Sequence, residues 1–403
     1  MPDQDPHIVL PGQSDASYSN SPPDRRLCRQ TIQTTSMRNR HTKPSIPRAQ
    51  QYSAKVGQAP GNVQHLGEVK VKQPALTVFD FDDKELAEVT FKTLEETRLY
   101  QKQHRNIWLN VYGLHDPKVM KEIGERFGLH PLVLEDIVNT AQRPKFEDYG
   151  HYVFVVLKAF AYDSSLLDCQ PEHISLVLGR DFVLSFQERP TGIFAPIRER
   201  MRQRHSLPRR VGVDGVMHAL IDAVVDRYFV MVEKLSDAVE QLEDALITDA
   251  PRDAMEQITH LKHETLELRR SIWPTRETLV GVLRMEEHLI SKETQPYFRD
   301  IYDHCVHVIE QLDGLRELIG DLLDIHLSGA SHRLNGELRL LTIVTTLCAP
   351  ATLITGFFGM NFKYMPWLER YDGWILSLIA IIAGGLALLA SLLWRHRRIR
   401  KGF

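Results

Sequence analysis

The sequence predicts an α+β domain, then long stalk helices, then two C-terminal transmembrane helices. Three observations carry that prediction. Runs rich in β-branched and aromatic residues, bounded by turn residues, fall between residues 106 and 187. After Pro208 the pattern becomes helical for well over a hundred residues. Two apolar runs without a charge close the chain, Leu340–Phe358 with 19 residues and Trp374–Trp394 with 21. About 20 helical residues at 1.5 Å each cross a hydrocarbon layer of roughly 30 Å, so each run has spanning length.

Residues 1–65 are rich in Pro, Ser, Gln and Arg and show little apolar periodicity, which reads as a disordered extension. Its start is polar and acidic rather than signal-like, and Asp3, Asp5 and Asp15 argue against an organellar transit peptide. Residues 66–208 mix strands and helices. Strands are expected at Asn106–Leu114, His151–Tyr162, His173–Gly179 and Asp181–Gln187, the last two flanking Gly179-Arg180 as a hairpin. Between the first two strands, "PKVMKEIGERFGLHPLVLEDIVN" reads as helical. Residues 209–337 form the stalk, with one helix over Gly215–Ile247 and a second from Pro251 to about Ile290. The third starts near Pro296, a first-turn proline, and meets no other proline before Pro350. Ile301, Cys305, Val308, Leu312, Leu315, Ile319 and Leu322 alternate spacings of three and four along it, a seam of the coiled-coil kind. From Asp300 to Phe358 this helix would run roughly 88 Å. A rod of that length needs partners, either the other stalk helices or copies of itself.

The first span is placed at 338–358, an outer loop at 359–373, the second span at 374–394 and a basic tail at 395–403. Trp374 and Trp394 bracket the second span as interfacial aromatics, and "RHRRIRK" follows at once. Lys and Arg mark the cytoplasmic side, so both termini are expected inside, with the protein in the cell inner (plasma) membrane.

Read at spacings of three and four, the first span carries a stripe of Asn335, Leu338, Thr342, Thr345, Ala349, Thr352, Gly356 and Gly359. Small and hydroxyl residues on one face let membrane helices pack closely. The same face would also line a water-filled pore built from several copies, with Leu338 and the nearby Leu341 as apolar rings that gate by dewetting. Sequence periodicity leaves both readings open. Pro350 interrupts the backbone hydrogen bonding, which membrane helices tolerate when neighbours compensate.

Composition narrows the function further. A net charge of −3 and a pI near 6.7 give no case for nucleic-acid binding. Cys28, Cys169, Cys305 and Cys348 form no CxxC pair, so neither a disulfide framework nor a zinc knuckle is indicated. P-loop, GxSxG and HExxH signatures are missing, which disfavours an enzyme.

The segments "LVLEDIVNTAQRPKFEDYGHYVFVVLK", "LIDAVVDRYF", "KETQPYFRDIYDH", "LLDIHLS" and "GFFGMNFKYMP" together resemble the CorA family of divalent-cation channels. The resemblance runs from about residue 66 to the end. It implies a homopentameric, funnel-shaped channel whose first spans ring the pore, and it tips the stripe toward pore lining. It implies a filter of Gly359, Met360 and Asn361 at the outer mouth, with Mg²⁺ as both substrate and regulatory ligand and Co²⁺ or Ni²⁺ as further substrates. It also implies that cytosolic Mg²⁺ bridges carboxylates of neighbouring subunits and holds the pore shut. The matching acids are Glu135, Asp136, Asp222 and Asp300. Read without the family, the same acids are solvated helix-face charges or salt-bridge partners. Asp300 and His304, at i and i+4, offer a spacing that can ligate a transition metal, though such a pair is more often a helix-face contact.

Magnesium suits neutral oxygens. Mg²⁺ surrenders its tight water shell reluctantly, and amide oxygens accept hydrogen bonds from that shell without stripping it. One departure concerns the outer loop, where many relatives carry acids and this chain has Lys363 and Trp367. A ring of lysines would repel cations unless Glu369 and Asp372 offset it. Two rival functions follow: a zinc transporter on the same scaffold, and a membrane-anchored sensor or scaffold that needs neither Asn361 nor the stripe.

Overall fold

The computed structural model describes residues 61, 63–91, 94–160, 171–249, 251–285, 289–360, 363 and 371–400. The chain divides into two units, Met1–Gln50 and Gln51–Phe403, and the described residues all belong to the second. In chain order the elements are β1 (Ala75–Phe81), β2 (Leu86–Phe91), α1 (Leu94–Leu99), β3 (Asn106–Tyr112), α2 (Pro117–Phe127), α3 (Pro131–Val138), β4 (Lys145–Asp148), β5 (Tyr152–Phe160), β6 (Pro171–Gly179), β7 (Phe182–Gln187), α4 (Ala195–Arg202), α5 (Leu207–Val211), α6 (Val213–Asp249), α7 (Ala254–Leu283), α8 (Gln295–Phe358) and α9 (Gly373–Arg400).

The strands form one seven-stranded sheet in the order β2-β1-β3-β7-β6-β5-β4. Only the β3–β7 pairing is parallel; the others are antiparallel. Strand alternation splits the sheet's side chains between two cores. On β5, Val153, Val155, Leu157 and Ala159 enter the core shared with the stalk helices. Tyr152, Phe154 and Val156 face the other way, into a core closed by α2 and α3. Burial on both faces is why this strand reads as an unbroken apolar run.

The segment expected as one helix after β3 is two. α2 ends at Gly128, which caps it in the left-handed conformation at φ 66, and α3 restarts with Pro131 in its first turn. Strands β1, β2 and β4 lie outside the strands expected from sequence. β1 and β2 pair as a hairpin across "DDKE", where Asp82 Oδ1 accepts from the backbone N–H of Lys84 and Glu85 at 2.8 and 2.7 Å.

The stalk follows the sequence closely. All seven seam residues of α8 are buried, from Ile301 to Leu322, and burying each such side chain is worth about 1.5–3 kcal/mol. α8 packs along both α6 and α7. Two buried polar ties fix the stalk to the sheet and to itself. Tyr228 of α6 donates from its hydroxyl to the Lys158 carbonyl on β5 at 2.6 Å. Asp214, in the first turn of α6, accepts from Ser291 N–H at 2.9 Å and Thr294 Oγ1 at 2.6 Å, just ahead of α8. At 64 residues, α8 extends roughly 96 Å. Beyond Leu322 none of its residues is buried within the chain.

Candidate functional site: a polar helix face and an acidic cluster

α8 and α9 are the two described helices long and apolar enough to cross a membrane. They meet where α9 presents Gly384 and Gly385. A methyl built on Gly384 would lie 3.2 Å from Pro350 Cβ, and one on Gly385 would lie 3.6 Å from Leu347 Cδ1. Around this contact Ile343, Thr346, Pro350, Ala351, Ile354 and Phe358 are half-buried. At about 100° per residue they cluster on one side of α8, and the stripe lies on the opposite side, roughly half a turn away. Thr342, Thr345, Ala349, Thr352 and Gly356 are all exposed in the single chain, as are Asn335, Leu338 and Leu341 further down the helix. The stripe therefore does not seat the chain's own second span.

The threonine hydroxyls on this helix bond backward along the backbone. Thr342 Oγ1 donates to the Leu338 carbonyl at 2.8 Å, Thr345 to Leu341 at 2.9 Å and Thr352 to Cys348 at 3.0 Å. Each donor is thereby used, and each oxygen keeps lone pairs directed off the helix surface, where they accept from water. Near the helix end Gly356 has open space around it. Gly359 caps the helix with its N–H on the Thr355 carbonyl at 2.9 Å, and Met360 stands half-exposed beyond it. Asn361, Trp367 and Glu369 lie outside the described residues. Lys363 is exposed.

At the other end of the molecule the stalk gathers acids. Asp222 and Asp226, one turn apart on α6, meet His304 of α8, with one ligand atom from each lying within 4.8 Å of the others. Asp300 joins from the next turn, its Oδ2 3.8 Å from His304 Nε2. Burial pushes the Asp222 carboxyl up, Asp300 adds to the rise, and Arg200 and His304 oppose it. Asp226 is raised too, by burial first and then by Asp222. Two carboxylates that disfavour their own charge, with an imidazole beside them, form a donor set suited to a divalent cation. Phe229 covers the cluster, its ring edge-on to His304 at 5.6 Å. His218 stands close by between Tyr297 and Phe298, 5.5 Å from each ring, and burial pulls its pKa down to about 4.

The acids expected on α3 have partners of their own. Asp136 Oδ2 accepts from Lys145 Nζ at 2.7 Å, and that ammonium also binds Glu147 at 2.6 Å. Glu135 Oε2 accepts from the Gly61 N–H at 2.8 Å. A cation arriving at Asp136 would share its carboxylate with Lys145, which holds one of the two oxygens. The structure thus brings Asp222 and Asp300 together and adds Asp226 and His304 to them. Asp226 was legible as the second acid of "LIDAVVD", one turn after the first; its meeting with His304 depends on how α6 packs on α8.

The family described as "CorA-like Mg2+ transporter protein" matches residues 103–395. A cobalt/magnesium transport protein CorA from Thermotoga maritima is 38% identical over 333 residues, covering 82% of this chain and 95% of that protein. Among solved structures, the complete CorA magnesium transporter from Methanocaldococcus jannaschii superposes with a TM-score of 0.65 at 20% identity, over 78% of this chain and 96% of that one. The ZntB cytoplasmic domain from Vibrio parahaemolyticus reaches 0.53 at 9% identity, over 64% of this chain and 99% of that one, a likeness of fold alone.

Proposed function

We propose that this chain, which belongs to the CorA-like Mg²⁺ transporter family, conducts Mg²⁺ into the cytoplasm through a homopentameric pore. Co²⁺ and Ni²⁺ are further substrates of the same path. The observation that carries this reading is the orientation of α8. Its second-span partner sits on one side, around Pro350, while Thr342, Thr345, Ala349, Thr352 and Gly356 present an unoccupied polar face on the other. In a ring of copies that face turns inward, and threonine oxygens accept hydrogen bonds from the water shell of a passing ion. Leu338 and Leu341 then narrow the cytoplasmic mouth.

Gly359, Met360 and Asn361 form the entrance, five amide oxygens holding the hydrated ion weakly enough to release it. Entry needs no fuel: at about 2.3 kcal/mol per charge per 100 mV, a divalent cation gains roughly 4.6 kcal/mol from the membrane potential. With both termini inside the cell, cytosolic Mg²⁺ closes the pore by neutralising the Asp222 and Asp300 acids, with Glu135 and Asp136 contributing across the subunit boundary. When the ion leaves, the carboxylates repel and the stalks separate.

Uptake into liposomes tests this reading, comparing Mg²⁺ with Zn²⁺ for the wild type and Asn361→Ala. Mg²⁺ entry that disappears in Asn361→Ala is the expected result. Zn²⁺ entry without Mg²⁺ would assign the protein to zinc transport instead. No flux of either ion, with internal Mg²⁺ removed and the oligomer intact, would leave a sensor or scaffold.

A further inference from the structure

Ahead of β1 the chain runs as a strap over the end of α3. Leu66 pairs with Asn139 in an isolated parallel bridge, its N–H on the Val138 carbonyl and its carbonyl taken by Thr140 N–H, both at 3.1 Å. Thr140 Oγ1 donates to the same carbonyl at 2.8 Å. Gly67 passes so close that a methyl there would fall 2.2 Å from Thr140 Oγ1. Val63 and Leu66 are buried beneath the strap. At its upstream end Gly61 holds Glu135, and downstream Lys70 Nζ meets Glu188 Oε2 at 2.8 Å. The other oxygen of Glu188 accepts from the His173 N–H at 2.8 Å, tying strap to sheet.

Inside this clasp lie two imidazoles. Both ring nitrogens of His65 and Nδ1 of His173 are buried and lack a hydrogen-bond partner, while His173 Nε2 meets Ser175 Oγ at 2.8 Å. Carbonyls of Glu68, Val138 and Ile137 stand near the rings, though out of bonding geometry. The charged groups around them come from every adjoining element: Glu68 and Lys70 on the strap, His115 ahead of α2, Lys158 on β5, Glu172 on β6, and Glu188 and Arg189 after β7. Lys158 pairs directly across from His173 in the sheet and donates to the Thr140 carbonyl at 2.6 Å. Of these acids, Glu188 is engaged by Lys70 and Glu172 by Arg189.

We propose that the strap Val63–Lys70 is an acid-released latch, clasped while His65 and His173 are neutral and let go when they take up protons. Two imidazoliums beside Lys158 would place three cations together, with the ring nitrogens of His65 and Nδ1 of His173 shielded from water. Opening the strap hydrates the rings at the loss of one β-bridge, a few polar ties and the burial of Val63 and Leu66. Burial lowers the pKa of both rings, the more strongly for His173. The sign follows: the clasp is fully present above the ordinary histidine value near 6.5 and weakens as pH falls through the lowered native values. The latch stands apart from ion conduction and is tested without it.

Hydrogen exchange of the full-length protein, corrected for the intrinsic pH effect, reads the latch at pH 7.5 and 5.0. A ring that takes up its proton only when the strap opens makes opening easier as pH falls, so exchange across residues 63–70 should rise severalfold while β5 and β6 hold steady. In His65→Gln the rise should shrink severalfold, and in His173→Gln as well. His65→Gln alone carries the test should the buried His173 variant fail to fold. An unchanged strap at pH 5.0, an undiminished rise in His65→Gln, or an equal rise in β5 and β6 would each overturn the proposal.

Discussion

Gly384 of the second span backs onto Pro350 of the first, close enough that a methyl on the glycine would sit 3.2 Å from the proline ring carbon Cβ. Pro350 has no N–H, so its helix lacks one backbone hydrogen bond there, and the facing glycine lets the neighbouring backbone come close at the same level.

Overfilling this contact should therefore separate the spans. Gly384→Leu is expected to lower thermal stability in detergent by the equivalent of about 1–3 kcal/mol, the usual cost of overpacking. Gly356→Ala, on the open side of α8 with nothing within 4 Å, should melt like the wild type. Equal melting of both variants would mean that the glycine contact does not hold the spans together.

The Asp214 clip makes a second stability test. Its carboxylate takes donors from Ser291 and Thr294, fixing the start of α6 against the start of α8. Asp214→Ala leaves the Ser291 N–H without its acceptor, while the Thr294 hydroxyl can turn to the Ser291 carbonyl at 3.0 Å, so the cost is about 1–3 kcal/mol. Asp214→Asn keeps one acceptor oxygen and should fall between the variant and the wild type. Thermal unfolding followed by circular dichroism checks the order, and an Asp214→Ala protein as stable as the wild type would contradict it.

What could be read from the chain alone divides along physical lines. The α8 seam was legible because burial against α6 and α7 imposes spacings of three and four, and all seven residues from Ile301 to Leu322 are buried. The hairpin around Gly179-Arg180 was legible because its strands are apolar on both faces. β2 was not, since its exposed positions interleave Glu88 and Thr90 with half-buried residues and mimic loop composition. The break between α2 and α3 turns on a single left-handed glycine, Gly128, inside an otherwise continuous helical pattern. The acidic cluster was half legible. Each pair, Asp222 with Asp226 and Asp300 with His304, was legible as residues one turn apart on one helix, whereas the meeting of the two pairs depends on the packing of α6 on α8.

Cys305 supplies a chemical probe of that packing. It sits in the seam, fully buried, and burial pushes its thiol pKa up to about 12. Thiolate is the reactive form. In a background with Cys28, Cys169 and Cys348 replaced by serine, a maleimide should leave the native protein unlabelled at pH 7.5 and label it fully after denaturation. Rapid native labelling would show that the stalk opens on the timescale of the reaction.

The acidic cluster makes a prediction in which stability and ligand binding move oppositely. Burial raises the Asp222 carboxyl above its ordinary value of 3.8, so folding favours its neutral form. At neutral pH the charged carboxylate costs stability, and that cost is relieved as pH falls through the raised native value. Asp222→Asn removes the charge with little change in shape, so without divalent ions it should melt at or above the wild-type temperature. A cation bound only by the native state stabilises by about 2.7 kcal/mol at a hundred times its dissociation constant. That gain should appear for the wild type in Mg²⁺ or Co²⁺ and fall away in Asp222→Asn and in Asp226→Asn. His304→Ala should weaken the response to Co²⁺ more than to Mg²⁺, because imidazole suits transition metals and Mg²⁺ prefers oxygen. A variant that melts above the wild type without ions yet keeps the full ion-induced shift would separate the two effects, leaving Asp222 as a strained helix-face acid and placing the stabilising ion elsewhere on the stalk.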